Sequence, residues 1–503
     1  MLRENKVFFP TQKALLTALI IIGWAGSVFL IILLKNRFFA VTLLFYLIKI
    51  GFALSALTSL CCPAAKSSFV FLILAFPYIA IPVYLCFRRT RLSKNEKKLI
   101  EECRSRKPKT ECFEKKMLLK CNENFTFLRE IASYSTANIY TNTAAKYFSE
   151  SDEMLISLMG DIKCAKRFVF LEFYTVCSGE VFGNICELLC EKAREGLEIK
   201  ILYDELGSLF KIPEDFPKII KESGIEARCG SPLFAAFPSG INNRNHRKIA
   251  IIDGEVAYTG GINLADEYVY SKKKLGKWKD FGIRIEGEAV CELTHTFLSD
   301  FVFSGGECED FAKYYKYKKI KSKGFSLVFE DGPYPLYEEK ISERLIASLI
   351  DASEKSFTMT SPYLIFDSRI YSAVCGAVKR GVRVKIIIPS TPDKILTSIL
   401  TRRYAYKLSE IGAEIYLYLP GFLHSKIYCS DKKLLMCGTV NLDYRSLRHN
   451  FENGILFSDH PVIDDAVRDL DEILSVSIPL QAKKTNPIMR FIGTLLEVFA
   501  PLF

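Results

Sequence analysis

The sequence predicts an α/β protein made of two similar halves related by pseudo-twofold symmetry, preceded by an N-terminal transmembrane helical segment. Three observations predict it. Residues 14–87 are far more apolar than the rest; helical and strand-like segments alternate from about residue 150; and one polar motif occurs twice in one register. The first copy reads His246-Arg-Lys248, four residues, Asp253, then Gly260 and Asn263. The second reads His424-Ser-Lys426, four residues, Asp431, then Gly438 and Asn441. The chain holds five histidines in 503 residues, so two on the same long register point to duplication rather than chance.

The front end carries the membrane signal. Ala14–Leu34 is a 21-residue run without a charge, long enough to cross a hydrocarbon core as a helix. Phe69–Phe87 is a second run of 19 residues, with Pro77 and Pro82 as kink points. Between them Phe38–Ala65 is apolar except for Lys49, and a central charge costs roughly 3 kcal/mol on insertion scales. Three spans are expected, with two spans and an interfacial segment as the alternative. The first run is longer than a signal-peptide core and lacks a small-residue cleavage site before Lys35 and Arg37. The basic stretch Arg88-Arg89-Thr-Arg91, continued by Lys94, Lys97 and Lys98, places the downstream residues on the cytoplasmic side. Arg3, Lys6 and Lys13 pull against a three-span topology, but either count leaves the large part inside.

Bulk charge agrees with an anionic partner. The net charge is +11, from 68 basic and 57 acidic residues, which suits nucleic acid or an acidic membrane surface. Sixteen cysteines are scattered without paired zinc-like spacing, as expected for a reducing compartment and not for a disulfide scaffold.

The two halves align segment by segment. Phe168–Tyr174 matches Phe357–Tyr363; a helix ending at Gly196 and a strand Ile199–Tyr203 match Gly381 and Val384–Ile388. A strand near Glu226 corresponds to Ala413–Tyr418, and each half then reaches its His-x-Lys strand. Strand alternation puts His246 and Lys248 on one face and Arg247 on the other, with the same parity for His424, Lys426 and Ser425. The boundaries expected are 1–90 for two to three transmembrane helices and 91–150 for a juxtamembrane linker region. The first half then takes 151–305, a basic linker 306–335, the second half 336–482, and an amphipathic C-terminal segment 483–503. The linker run Lys313–Lys321, with interleaved tyrosines, reads as solvated, with anionic-lipid contact as the functional option. The C-terminal stripe from Ile488 to Phe499 is expected to pack on the core in preference to lying in the membrane interface.

A phosphodiester repels nucleophiles through its own oxygens. Its cleavage needs cations and amides on those oxygens, a nucleophile, and an acid for the leaving alkoxide. Two His-x-Lys sets and two asparagines supply these without metal or cofactor. One imidazole attacks phosphorus to form a phosphohistidine, and the other protonates the leaving alcohol and then activates the incoming hydroxyl. Lys248, Lys426, Asn263 and Asn441 would hold the non-bridging oxygens, the glycines letting backbone and asparagine come close. A carboxylate should orient each histidine. Asp280 stands 34 residues after His246 and Glu452 stands 28 after His424, as the candidate in each half. Asp253 and Asp431 complete the motif's catalytic set of His246, Lys248, His424 and Lys426, although their place at a strand–turn junction suits a structural role. His295 and His460 read as structural, and His449 neighbours Glu452.

These residues resemble the phospholipase D superfamily, whose signature is the duplicated HxKxxxxD motif, and within it the bacterial cardiolipin synthases. The stretches Asn245–Gly254, Thr259–Tyr268 and Gly438–Ser446 carry the resemblance. Tyr203–Ser208, Phe451-Glu452 and Thr360–Tyr363 extend it, and it runs nearly the full length of the chain. It implies phospholipase D-like α/β sandwich halves. It also implies phosphatidyl transfer between two phosphatidylglycerol molecules, giving cardiolipin and glycerol, with His246 the likelier nucleophile by analogy. Phosphatidylglycerol and other anionic phospholipids in the cell membrane are then the partners, and nucleic acid is not expected. A hydrolase, or a transferase with another donor or acceptor, would use the same residues. An inactive membrane scaffold is the alternative of another class. Oligomeric state is not legible in the sequence.

Overall fold

The computed structural model describes residues 39–59, 63–87, 94–108, 123–135, 137–230, 243–270, 275–334, 336–481 and 487–502. The chain divides into two compact units: an N-terminal helical unit that includes the C-terminal helix, and the α/β unit.

In the helical unit, Phe39–Ser59 forms a single helix. Among the described residues, its stretch Ala40–Thr58 is the one helix long and apolar enough to cross a membrane. Lys49, the charge that weakened this span in the sequence, is buried with its ammonium 5.3 Å from the Tyr46 ring centre. The 19-residue apolar run after it is broken into Pro63–Ala75 and Pro77–Phe87, because Pro77 cannot continue the preceding helix. Ala14–Leu34 lies outside the described residues. The C-terminal helix Pro487–Val498 ends with Val498 and Phe499 packed in the cluster of Phe69, Leu72 and Tyr84.

The α/β unit has two large sheets and two small ones. Its strands are β1 (Ile139–Tyr140), β2 (Thr143–Phe148), β3 (Phe168–Phe173), β4 (Glu198–Asp204), β5 (Ile225–Gly230), β6 (Lys248–Ile252), β7 (Val256–Gly260), β8 (Lys277–Lys279) and β9 (Gly282–Gly287). They continue with β10 (Phe325–Asp331), β11 (Ser356–Thr360), β12 (Leu364–Ile365), β13 (Arg383–Pro389), β14 (Glu414–Tyr418) and β15 (Gly421–Leu423). The last are β16 (Ile427–Ser430), β17 (Leu434–Gly438), β18 (Leu442–Asp443), β19 (Glu452–Ser458) and β20 (Ser477–Pro479). The small sheets pair β12 with β18 and β15 with β8. One large sheet runs β2-β9-β7-β6-β3-β4-β5. The other runs β1-β10-β19-β17-β16-β11-β13-β14-β20, the same seven-strand order with one short strand added at each edge. In both, three parallel strands joined by helices are followed by antiparallel strands that carry the motif. The duplication seen in the sequence is thus a duplication of topology.

Three strands come from stretches read as linkers, the short β1 at the edge beside β10 being one of them. β2, within 91–150, pairs with β9, and β10, within 306–335, pairs with β19. The Lys313–Lys321 run is not simply solvated either. Tyr314 is buried with its hydroxyl donating to Glu198 at 2.6 Å, and Lys318 pairs with Glu255 at 2.9 Å.

Alternation along each strand separates the layers. On β6, Ile249 and Ile251 face a core shared with Ile427, Cys429 and Ile455 of the other half, while Ala250 and Ile252 face helices Ser151–Cys164 and Glu180–Arg194. Each fully buried isoleucine contributes about 1.5–3 kcal/mol relative to exposure, so this shared core holds the two large sheets face to face.

Candidate active site

The two motif histidines sit just ahead of their strands, where the chain leaves its own sheet and pairs with the opposite half. Phe451 N donates to Arg244 O at 2.9 Å and His246 N donates to Phe451 O at 2.9 Å. On the other side β15 runs parallel to β8, and His424 N donates to Lys279 O at 2.8 Å. Each histidine is therefore anchored to the residue that precedes the carboxylate of the other half.

The side chains follow the backbone. His246 Nδ1 lies 3.0 and 2.9 Å from the two carboxylate oxygens of Glu452, and His424 Nδ1 lies 2.6 Å from Asp280 Oδ2. Both expected carboxylates lie beside a motif histidine, but not the one in their own half: each histidine takes its carboxylate from the opposite half. Chain distance could not show this, because the crossing is made by interstrand hydrogen bonds between the halves. With Nδ1 occupied, Nε2 is left as the reactive nitrogen of each ring.

The two carboxylates are held differently. Glu452 accepts from Ser446 Oγ at 2.6 Å, from Asn450 Nδ2 at 3.3 Å, and from the Thr439 hydroxyl. Asp280 accepts from the amide of Phe281 at 3.0 Å, and Gly261, the counterpart of Thr439, leaves the space its carboxyl fills. Hydrogen bonds stabilise the charged form. At Glu452 burial raises the pKa but is outweighed by His246, Lys248 and the Ser446 hydroxyl, so the carboxyl falls below its usual range. At Asp280 burial prevails over Lys426 and the Phe281 amide and lifts the pKa to about 6.

Burial also lowers the cations. It takes His246 to about 4, assisted by Lys248 and Lys426 and opposed by Glu452. His424 falls well below the usual imidazole range through burial, then through Lys426, Lys248 and His246, so the basic groups of both motifs act within one electrostatic site. Lys248 drops to about 7 and Lys426 to about 8, burial being the main cause in both. Lys248 Nζ donates to His246 O at 2.8 Å; Lys426 Nζ lies 2.8 Å from His424 Nδ1.

Asn263 and Asn441 are also buried at the site. Asn263 accepts from Thr175 N at 3.1 Å and donates to the Tyr268 hydroxyl at 2.6 Å, whereas Asn441 Oδ1 is buried with no hydrogen-bond partner among the described residues. The motif glycines answer to the sheet rather than to a phosphate. At Gly260, with φ of 149°, a Cβ would lie 2.5 Å from Phe281 O, and at Gly438 one would lie 2.5 Å from Gly454 Cα.

Asp253 and Asp431 do not join the histidines, which lie at the other ends of β6 and β16. The carboxylate of Asp253 accepts from the amides of Lys166, Arg167 and Phe168 at 2.7–3.0 Å. Asp431 accepts from Glu354, Lys355 and Ser356 at 2.7–2.8 Å. Each has a positive φ, near 57° and 50°, and ties its turn to the start of the central strand. Grouping them with the catalytic residues is corrected to the structural role at the turn. His295 bonds the Tyr315 hydroxyl and His460 the Thr143 carbonyl, both outside the site. His449 caps the short helix Tyr444–Arg448.

Several neighbours escaped sequence reasoning. Tyr174 packs 5.1 Å from the His246 ring, and Trp278 and Phe422 lie 5.2 and 5.9 Å from that of His424. Ser446 and Thr439 would have emerged from comparing the two copies position by position, 178 residues apart, where Tyr268 and Gly261 stand in the first. Among the described residues no group of three or more His, Cys, Asp or Glu is placed to hold a metal ion.

The family model described as "Cardiolipin synthase, PLD-like domain" matches residues 158–290 and again 346–474, one match on each half. The chain belongs to this phospholipase D-like cardiolipin synthase family. Relatives in the family include Cardiolipin synthase 2 of Bacillus cereus, 31% identical, covering 82% of this chain and 82% of the relative. Another is the cardiolipin synthase of Halalkalibacterium halodurans, 33% identical over 81% of this chain and 83% of its own length. A solved structure, phosphatidylserine synthase of Haemophilus influenzae, superposes with a TM-score of 0.58 at 15% identity, covering 75% of this chain and 97% of that one. At that identity it speaks for the fold of the family member, two phospholipase D-like halves, and not for its substrate.

Proposed function

We propose that the chain is a cardiolipin synthase, transferring a phosphatidyl group from one phosphatidylglycerol to a hydroxyl of another and releasing glycerol. The observation that carries this is the crossed pair of contacts, His246–Glu452 and His424–Asp280, which supports two oriented imidazoles in one basic site.

His246 Nε2 attacks phosphorus and a P–N bond forms as the P–O bond to glycerol breaks. His424 gives its Nε2 proton to the departing glycerol oxygen. A hydroxyl of the second phosphatidylglycerol then returns a proton to His424 and attacks phosphorus, and the P–N bond breaks to free His246. The ionised, multiply bonded Glu452 supports the positive charge that His246 gains in the intermediate, which favours His246 as nucleophile. Lys248, Lys426, Asn263 and Asn441 bind the non-bridging oxygens. The phosphodiester's charge offsets the two ammonium groups that depress His424, raising its proton affinity when substrate is present.

Residues 14–87 would anchor the chain as a multi-pass protein, with the basic stretch Arg88–Lys98 keeping the α/β unit at the cytoplasmic face near its anionic lipids. The full chain in mixed micelles of phosphatidylglycerol should yield cardiolipin and glycerol in equal amounts by mass spectrometry. Phosphatidic acid as the sole lipid product would replace the synthase with a hydrolase.

A further inference from the structure

The residue between histidine and lysine is the one position of the His-x-Lys triplet that the two halves do not share. Arg247 stands between His246 and Lys248, and Ser425 between His424 and Lys426. Both are fully buried. Ser425 Oγ has no hydrogen-bond partner among the described residues, whereas every nitrogen of the Arg247 guanidinium has one.

Alternation turns Arg247 away from the His246 and Lys248 side chains, and it reaches across into the other large sheet. Its Nε donates to Glu452 O at 3.1 Å, and its Nη2 to the Tyr337 hydroxyl at 2.9 Å and to Asp331 O at 3.3 Å. Asp331 and Glu452 are register partners on β10 and β19, so one guanidinium holds both strands at the same level. Nη1 donates to the Asp300 carboxylate, and Glu330 Oε2 lies 3.5 Å from Nη2. A buried guanidinium is tolerated only with its charge paired and its donors satisfied, so any shift of the Glu452 backbone is penalised. The contacts close a loop. The His246 ring meets the Glu452 carboxylate, the Glu452 carbonyl meets Arg247, and Arg247 is bonded to His246 along the chain. Asn245 steadies the entry to this loop. Its amide donates to Asp204 Oδ2 at 2.9 Å, and its side chain donates to Glu172 Oε1 at 2.7 Å and accepts from Arg247 N at 3.2 Å. In the second half Leu423 takes the place of Asn245, 178 residues on, and Ser425 is too short to make such a bridge.

We propose that Arg247 is a positioning residue for the His246–Glu452 pair. It fixes the Glu452 backbone so that the carboxylate stays on Nδ1 while His246 takes up and passes on the phosphatidyl group. It acts through Glu452 and not on the lipid. This role rests on the phosphatidyl transfer proposed above, and it sets the nucleophilic histidine apart from its partner by a neighbour that the second half lacks.

Glycerol release from phosphatidylglycerol by the full chain in mixed micelles reads the donor step, whichever acceptor follows. Arg247→Lys keeps the charge but loses the planar fork. Its kcat should fall by about tenfold or more with KM little changed, because a displaced carboxylate weakens the transition state and not lipid binding. Ser425→Ala, at the matching position, should stay within about twofold of wild type, since it removes an unpartnered hydroxyl. A double-mutant cycle separates positioning from general support of the fold. With Glu452→Gln already present, Arg247→Lys should cost less than about a further threefold; with Asp280→Asn present it should cost its full factor. Should Arg247→Lys fail to fold, Tyr337→Phe carries the same comparison, because it removes one hydrogen bond and leaves the ion pair. Its smaller loss should vanish beside Glu452→Gln and persist beside Asp280→Asn. Equal losses in both backgrounds, or an unchanged kcat, would overturn the positioning role. A wild-type chain that releases glycerol but yields phosphatidic acid alone would instead overturn the synthase reading, and the cycle would still be legible.

Discussion

His246 and Glu452 stand 206 residues apart in the chain, yet the imidazole Nδ1 lies 2.9 Å from the carboxylate. With His424 and Asp280 the crossing is repeated in reverse, at 2.6 Å. Neither half can orient its own histidine, so a working site requires both halves docked on their common core.

Glu452→Gln keeps the shape but removes the charge that supports His246. The expected loss in kcat is about a hundredfold or more, as for the orienting carboxylate of a hydrolase triad. A double-mutant cycle reads the crossing directly. Adding Glu452→Gln to His246→Ala should cost little beyond the single change, whereas Asp280→Asn should show that behaviour with His424→Ala. Coupling within each half instead would contradict the pairing.

His424→Ala removes the group that protonates glycerol and then activates the acceptor. Turnover should fall by more than about a hundredfold, the usual contribution of a positioned acid–base group. Steady-state cardiolipin formation checks this, and an unaltered kcat would remove His424 from the mechanism.

The pH dependence of kcat/KM should be bell-shaped. As pH falls through about 6, Asp280 takes up a proton and its support for a charged His424 is lost. As pH rises through about 7 and then about 8, Lys248 and Lys426 lose the charges that hold the phosphate. Activity should therefore peak between these limits. Lys248→Arg, which stays charged, should move the alkaline limb upward. A flat profile across about pH 5 to 9 would contradict these assignments.

Asp253→Ala strips three amides of their acceptor and leaves Ala at a positive φ. Stability should fall by about 1–3 kcal/mol, read as a lowered melting temperature in detergent. Turnover per folded molecule should change little. A hundredfold loss of turnover in stable protein would restore Asp253 to the chemistry.

Much of this was legible in the sequence, because duplication leaves a register. The His-x-Lys pairs, the asparagines, both carboxylates and the central strands of each half follow from spacing and from runs such as Phe168–Phe173. What was not legible depends on contacts between distant segments. The crossing of Asp280 and Glu452 is set by strand pairing across the halves, and β2 and β10 complete their sheets from stretches whose charge and length read as linker. Asp253 showed its strand-end place in the sequence, but its three amide partners lie more than 80 residues away. The glycines of the Gly-x-x-Asn elements suggested a phosphate and turned out to admit a neighbouring strand, a distinction that only Phe281 O and Gly454 Cα could make.

The most direct measurement of the central claim is the position of the covalent intermediate. Full-length protein is mixed briefly with phosphorus-labelled phosphatidylglycerol, denatured under alkaline conditions that preserve a phosphohistidine, and digested for peptide mapping. Label is expected on His246 in the wild type, strongly reduced by Glu452→Gln. Label on His424, or cardiolipin made with no labelled histidine at all, would contradict the mechanism.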